Sequence, residues 1–364
     1  MTVSYRCAAA LAVVTSFALM ASPARAQGAA SGKWELDVHG GFASATSPHG
    51  GSAGTLPAST PLSTFPFSQP SRRVSSWFFG DGAALINSVN TILAPAARFT
   101  AIDPVITSSA ASRDSGANVG FRVARRIGSR YFAEATVDFT RTPLTFSQKA
   151  LDGIEASRTT FVTTFRGLFM SGPSPNPDVT ATLDLNEGSG WEVTTTGVFG
   201  VDLLTHGRLI PYVVGGAGVA HITGSSPSAT ITGHYGFTIP VPGVPPVNET
   251  DTLAIRMTQD SNSPVGVFGG GFRYVASPRW GVRFDVRASV GGGASDVLID
   301  ARPSVAKGSP TVVLVTPTIP SAVFSTSTTQ DSSLSGPTIS GLKTFSGSGS
   351  SLRTNIVGGV YFRF

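Results

Sequence analysis

The sequence predicts an all-β fold: an eight-stranded antiparallel up-and-down transmembrane β-barrel with long extracellular loops. Three observations carry this reading. Eight segments alternate apolar and polar residues with period two, the mark of a strand with two different faces. The connections between them alternate short and long without exception. Charged residues make up only 13% of the chain, against about 25% in ordinary soluble domains. Yet no stretch after the N-terminal leader is apolar over the roughly 18 residues of a membrane helix. A barrel resolves that combination, because it spreads its apolar surface over alternate residues.

The leader comes first. Arg6 supplies a short basic start, and Ala8 to Ala21 is apolar apart from Thr15 and Ser16. Ala24-Arg25-Ala26 forms a small-x-small cleavage pattern. These are the parts of a secretory signal peptide, and the run is shorter than the ~20 residues that span a bilayer. The expected organisation is therefore a signal peptide over 1–26 and a barrel domain over 27–364. Cys7 lies too early for lipidation and is the only cysteine, so disulfides and thiolate metal sites are excluded from the mature chain. The net charge of +5 includes two leader arginines. No Lys/Arg cluster stands out, which argues against a nucleic-acid partner.

The strands are read at 33–43, 117–127, 130–141, 191–203, 208–220, 264–275, 279–291 and 353–364. Ile127-Gly128-Ser129-Arg130, Leu204-Thr205-His206-Gly207 and Ala276-Ser277-Pro278 are short turns, each with a Gly or Pro breaker. The remaining connections, about 44–116, 142–190, 221–263 and 292–352, are long. Outer-membrane barrels sort their connections this way, with tight periplasmic turns on one rim and extended loops on the other. In the first strand Trp34, Leu36, Val38, Gly40 and Phe42 share a face, opposite Lys33, Glu35, Asp37 and His39. In the third, Tyr131, Ala133, Ala135, Val137 and Phe139 oppose Glu134, Thr136 and Asp138. In the seventh, Trp280, Val282, Phe284, Val286 and Ala288 oppose Arg283, Asp285 and Arg287. The apolar sets are expected to face lipid and the charged sets the lumen. Trp34, Tyr131 and Trp280 fall where a periplasmic aromatic girdle belongs. The fifth strand, Tyr212 to Val219, is apolar on both parities, so its facing is left open.

Two loops carry helical patterns. Leu85, Ile86, Val89, Ile92 and Leu93 follow helical spacing, with Asp81 placed to cap the start and Pro95 to stop the run. Leu151, Ile154, Phe161, Phe165, Leu168 and Phe169 also fit one helical face, although Thr159-Thr160 and Val162-Thr163-Thr164 argue for strand. The third and fourth loops are rich in Ser, Thr and Pro, and Thr311 to Val315 reads as an extension of the strands beyond the membrane. Trp77-Phe78-Phe79 would be costly in water, so it must pack on the barrel mouth, another loop or the lipid interface.

The chain ends Ile356-Val357-Gly358-Gly359-Val360-Tyr361-Phe362-Arg363-Phe364. A last strand with alternating apolar residues and a terminal Phe resembles the C-terminal signal of outer-membrane barrels, with Val360, Phe362 and Phe364 as its apolar positions. The eight strands and this ending resemble the outer membrane protein A-like eight-stranded transmembrane barrels. The resemblance implies export by the Sec pathway, insertion by the barrel assembly machinery, and residence in a Gram-negative outer membrane. Some relatives continue into a soluble peptidoglycan-binding domain, which is expected to be absent here.

The most informative chemistry is the expected lumen charge network of Glu35, Asp37, Arg122, Glu134, Asp138, Arg283, Asp285 and Arg287. Glu192, Asp202, Arg126, Arg273, Arg353 and Arg363 share its parity. An eight-stranded barrel has an interior that side chains fill, and charges buried there must be paired. The reading is a salt-bridged structural lumen, with a narrow polar conduit as the alternative. Enzymatic signals are slight. His221 and Thr223 share a face, but Thr is a poor nucleophile and no acid stands beside them. The other histidines of the mature chain lack ligand spacing, and Gly215-Gly216-Ala217-Gly218 leads into no helix. No cofactor or metal is expected. The function expected is therefore non-enzymatic: an integral barrel of structural or surface-interaction type, in contact with outer-membrane lipid and with its loops open to an extracellular ligand. The alternative is a narrow channel or transporter for small or apolar solutes. A lipid-modifying barrel enzyme is the third reading.

Overall fold

The computed structural model describes residues 33–364 apart from 48–49, 63–71, 94–97, 172–173, 175, 239, 294, 306–311, 317–318, 325–331 and 349. The expected signal peptide, Pro95 and Thr311 lie outside the described residues. Fourteen strands carry the architecture. The first half of the chain holds β1 (Trp34–Ala45), β2 (Ser52–Ala53), β3 (Gly116–Ile127), β4 (Tyr131–Thr140), β5 (Asp178–Asn186), β6 (Glu192–Asp202) and β7 (Leu209–Ile222). The second half holds β8 (Ser228–Phe237), β9 (Val247–Gln259), β10 (Asn262–Val275), β11 (Trp280–Gly292), β12 (Ser295–Val305), β13 (Ile339–Gly347) and β14 (Ser350–Arg363). Among the described residues, three helices join them: α1 (Gly80–Leu93), α2 (Asp103–Ile106) and α3 (Gln148–Met170).

Eight strands close into an antiparallel barrel in the order β1-β14-β11-β10-β7-β6-β4-β3. These are the eight segments read from the sequence, with ends shifted by at most a few residues. Every neighbouring pair is a meander step, and β1 closes the ring by pairing with both β3 and β14. The turn after β3 uses Gly128 at φ 74° and the turn after β6 uses Gly207 at φ 108°, a left-handed region that glycine enters without a Cβ penalty.

The barrel is inside-out relative to a soluble protein. Val38 is 60% exposed on its outer face and Phe268 is 55% exposed, with Phe42, Val119, Phe121, Phe199, Val213, Val219, Phe272, Phe284, Ile356 and Phe362 exposed beside them. On the inner face Glu35, Asp37, Arg122, Arg273 and Asp285 are buried. This is the distribution of a transmembrane β-barrel, apolar outward and polar inward. Along β1 the outward set runs from Trp34 to Phe42. At ~3.3 Å per residue and a tilt near 40°, that covers roughly 20 Å of apolar height. The facing of β7, undecided by its sequence, is settled by Tyr212 and Val214, which are buried in the lumen, and Val213, which is exposed.

The long connections fold into a second body. Six strands form a sheet in the order β2-β13-β12-β9-β8-β5. That order repeats the order of the barrel strands β1, β14, β11, β10, β7 and β6, because each head strand continues its barrel strand across a short break. The sheet is thus the barrel wall carried outward on six of its eight strands. The other two, β3 and β4, end in a short ribbon that pairs Ala111–Arg113 with Leu144–Phe146. The expected loops are therefore largely ordered strand. The segment Val312–Thr316 does not extend a barrel strand but pairs with Ile319–Phe324 in its own hairpin.

Both helical patterns are helices. In α3 the threonines at 159, 160 and 163 bond back to carbonyls of the preceding turn, which satisfies their hydroxyls within the helix. Ser147 caps α3 by accepting from the Ala150 amide at 3.2 Å. Asp81 does not cap its own helix. It accepts from the amide and hydroxyl of Ser59 at 2.9 and 2.7 Å, while Asp103 receives the Gly80 amide at 2.9 Å. One hydrophobic core unites helices and sheet. Phe161, Phe165 and Phe169 of α3 stack against Tyr235 and Phe237 of β8, and Trp77 packs between Phe165 and Phe324. Such ring pairs contribute about 0.5–1.5 kcal/mol each beyond their buried area. Trp77-Phe78-Phe79 therefore packs on the folded connections themselves.

Candidate functional site

The barrel lumen is the only place where the fold gathers many charged side chains among the described residues, and it does so by parity alone. Each barrel strand sends alternate residues inward, so one charge at every second position builds stacked layers. The first layer lies near the rim of tight turns. Glu35 accepts from Arg363 at 2.7 Å and from Arg273 at 3.2 Å, with Arg126 at 3.5 Å. Asp202 accepts from Arg126 at 2.5 Å and also from Arg273. The Arg273 guanidinium packs against two rings, 4.9 Å from the centroid of Phe132 and 5.3 Å from that of Tyr212.

The middle layer holds the core of the expected set. Arg122 lies 3.4 Å from Asp37 and 3.9 Å from Glu134 and donates to Asp285. Arg283 reaches Glu134 at 2.8 Å and Arg287 reaches it at 2.7 Å. Both arginines also stand 3.5 Å from Asp285. Tyr212 donates its hydroxyl to Asp285 and accepts from Arg283 Nε at 2.7 Å. Planar guanidinium forks suit this task, since each serves two carboxylates at once. Just beyond, the His39 ring lies between Asp37 at 3.0 Å and Asp138 at 2.7 Å. Asp138, expected among the arginines, is thus held by a histidine that the sequence placed on the right face but assigned no partner. Gly120 makes this possible, since a Cβ there would sit 2.6 Å from His39 Nε2 and 2.7 Å from Asp138.

The last layer is the outer rim, where barrel meets head. Glu192 binds Arg353 at 2.7 Å and lies 3.9 Å from Arg113, which also donates to Gln259 at 2.8 Å. Burial, with Arg353 nearby, brings the Arg113 guanidinium down to about 10, so it stays charged at neutral pH. The cavities along this rim are about one water molecule in size, roughly 10 Å³.

All eight expected lumen residues meet in this network. Sequence reasoning missed Phe132 and Tyr212, the rings that stack on Arg273 and Arg283, and it missed Arg113. Phe132 shares the parity of Glu134 and Asp138, which was the available signal. Phe362 and Phe364 of the terminal strand are exposed on the outer face, and Phe364 is tied to Trp34 by backbone hydrogen bonds of 3.0 and 3.1 Å. Val360, also on this strand, is half-buried. His221 and Thr223 do not form a pair. His221 meets Asn262 at 2.7 Å, and Thr223 donates to the Trp191 carbonyl at 2.9 Å.

No protein-family model and no curated protein sequence matches the chain. Among solved structures, it is similar to the outer membrane protein OprG from Pseudomonas aeruginosa. That likeness has 10% identity and a TM-score of 0.32, over 90% of this chain and 96% of that one. It is also similar to the toluene transporter TodX of P. putida, at 10% identity and a TM-score of 0.19, over 92% of this chain and 91% of that one.

Proposed function

We propose that the chain is an integral outer-membrane β-barrel of structural or surface-interaction type, non-enzymatic, with a lumen sealed by salt bridges and a folded head presented outside the cell. The single observation that carries the reading is the filled lumen. Glu35, Asp37, Glu134, Arg122, Arg273, Arg283 and Asp285 are each no more than 4% exposed, and each lies within ion-pair distance of an opposite charge. Charges packed and paired this closely oppose the passage of a hydrated ion. The exposed apolar belt supports contact of the barrel with outer-membrane lipid. Export by a signal peptide over 1–26, and delivery to the assembly machinery by Val360, Phe362 and Phe364, complete the reading within the outer membrane protein A-like set. Specific recognition then belongs to the head, since loops and rims on a rigid scaffold carry binding.

The test is conductance. Purified protein in a planar bilayer is expected to pass no steady current. Steady conductance by the wild type would replace this reading with the alternative, a narrow channel for small or apolar solutes.

A further inference from the structure

The head contains a buried polar chain that the barrel reading leaves unused. Glu249 and Asp251 lie two residues apart on β9, both buried on the face that packs into the head core. Asp251 Oδ2 accepts from the Ser76 hydroxyl at 2.8 Å and from the Trp77 amide at 2.6 Å. Its Oδ1, also buried, receives no hydrogen bond. The Trp77 indole donates to the Tyr235 hydroxyl at 2.9 Å, and Tyr235 donates onward to Glu249. The cross-strand partners of Asp251 are Gly233 and Pro303, which carry no charge. From α3, the Phe161 ring closes over Gly233 and Phe165 packs on Trp77. The titratable groups that face Asp251 are thus Glu249 on its own strand and Tyr235 on β8.

The segment held by this carboxyl is also the approach to α1, and Ser76, Trp77, Phe78 and Phe79 are all buried. A small cleft lined by Ser59, Ser75, Ser76, Phe79, Asp81 and Gly82 reaches the same segment from the surface. Solvent protons therefore come within one hydrogen bond of the carboxyl. Burial pushes Asp251 up to about 7, against the lowering effect of the Ser76 and Trp77 hydrogen bonds.

We propose that Asp251 is a proton-sensitive latch, which holds the 76–79 segment on the head sheet when protonated and loosens it when ionised. The direction follows from linkage. The folded value lies above the ordinary 3.8, so between those two values the closed head keeps a proton that the open segment has lost. Stability of the closed head falls as pH rises from about 4 to about 7 and is level above that. The head is tightest in acidic surroundings.

Hydrogen exchange on the purified full-length protein tests this, with rates corrected for the intrinsic pH dependence. Protection of peptides covering 74–79 is expected to drop ~30-fold between pH 5.5 and 8.5, while barrel peptides stay unchanged. Asp251→Asn keeps the acceptor for Trp77 without the charge, so its protection should be independent of pH. Should that variant fail to fold, the infrared carbonyl band of a protonated carboxylic acid in the wild type supplies a second readout. It should be present at pH 5.5 and fade through about pH 7. Flat protection in the wild type, an unchanged slope in Asp251→Asn, or absence of that band would overturn the latch. None of these outcomes depends on whether the lumen conducts.

Discussion

Arg122 is the side chain on which the middle of the lumen depends, because it stands against Asp37, Glu134 and Asp285 together. Arg122→Ala would leave those carboxylates short of a cation in a buried interior. The variant should lose about 3–5 kcal/mol of stability, read as a lower denaturant midpoint for unfolding from detergent. If instead the wild type conducts steadily and the variant changes only ion preference with no loss of stability, the charges line a pore. A second residue-scale prediction concerns the aromatic layer. An added Cβ at Gly200 would sit 2.1 Å from the Phe132 ring, so Gly200→Ala should cost roughly 1–3 kcal/mol by overpacking. Phe132→Leu in the same chain should recover part of that loss, which a double-mutant cycle measures. Parity in the sequence assigned the charges to the lumen. It assigned no role to Phe132, because an aromatic ring on a polar face declares its partner only once the neighbouring strands are in register.

At the scale of elements, the free edge of the head sheet is managed by a helix. β5 ends the six-stranded sheet, and an unpaired edge invites association with another chain. Arg158 and Arg166 of α3 donate to the carbonyls of Ala181 and Val179 on this strand, at 3.1 and 3.3 Å. Removing both, as Arg158→Ala with Arg166→Ala, should raise self-association in detergent, seen as larger species by light scattering with the barrel intact. An unchanged monomer would show that the edge is protected by something else. The two longer helices, α1 and α3, were legible from spacing, because one face of each is apolar at intervals of three and four. The head strands were not. On β9 the core-facing positions include Glu249 and Asp251 between Val247 and Leu253. Two acids on the buried side break the period-two pattern at the place where it would have been read.

For the whole molecule, the structure sharpens where topology should be probed. Gly243 lies in an exposed turn at φ 82° between β8 and β9, and Gly207 lies in the turn between β6 and β7 at the opposite end. A protease site inserted beside Gly243 should be cut in intact cells. One beside Gly207 should be protected until the outer membrane is opened. The reverse pattern would invert the proposed orientation.

The sequence by itself determined the number of barrel strands, their order, the faces all but β7 turn to lipid and lumen, and which connections are long. These follow from a period of two and from chain connectivity, and both are local properties that survive without knowledge of neighbours. Tertiary structure alone decided that the long connections continue six barrel strands into one sheet, that α3 and Trp77 share its core, and that β7 turns Tyr212 inward. It also decided which carboxylate each arginine takes. Those outcomes depend on register and on contacts between residues far apart in the chain, such as Glu35 with Arg273 and Asp251 with Trp77. No local pattern encodes a distance between two segments before the sheet has closed.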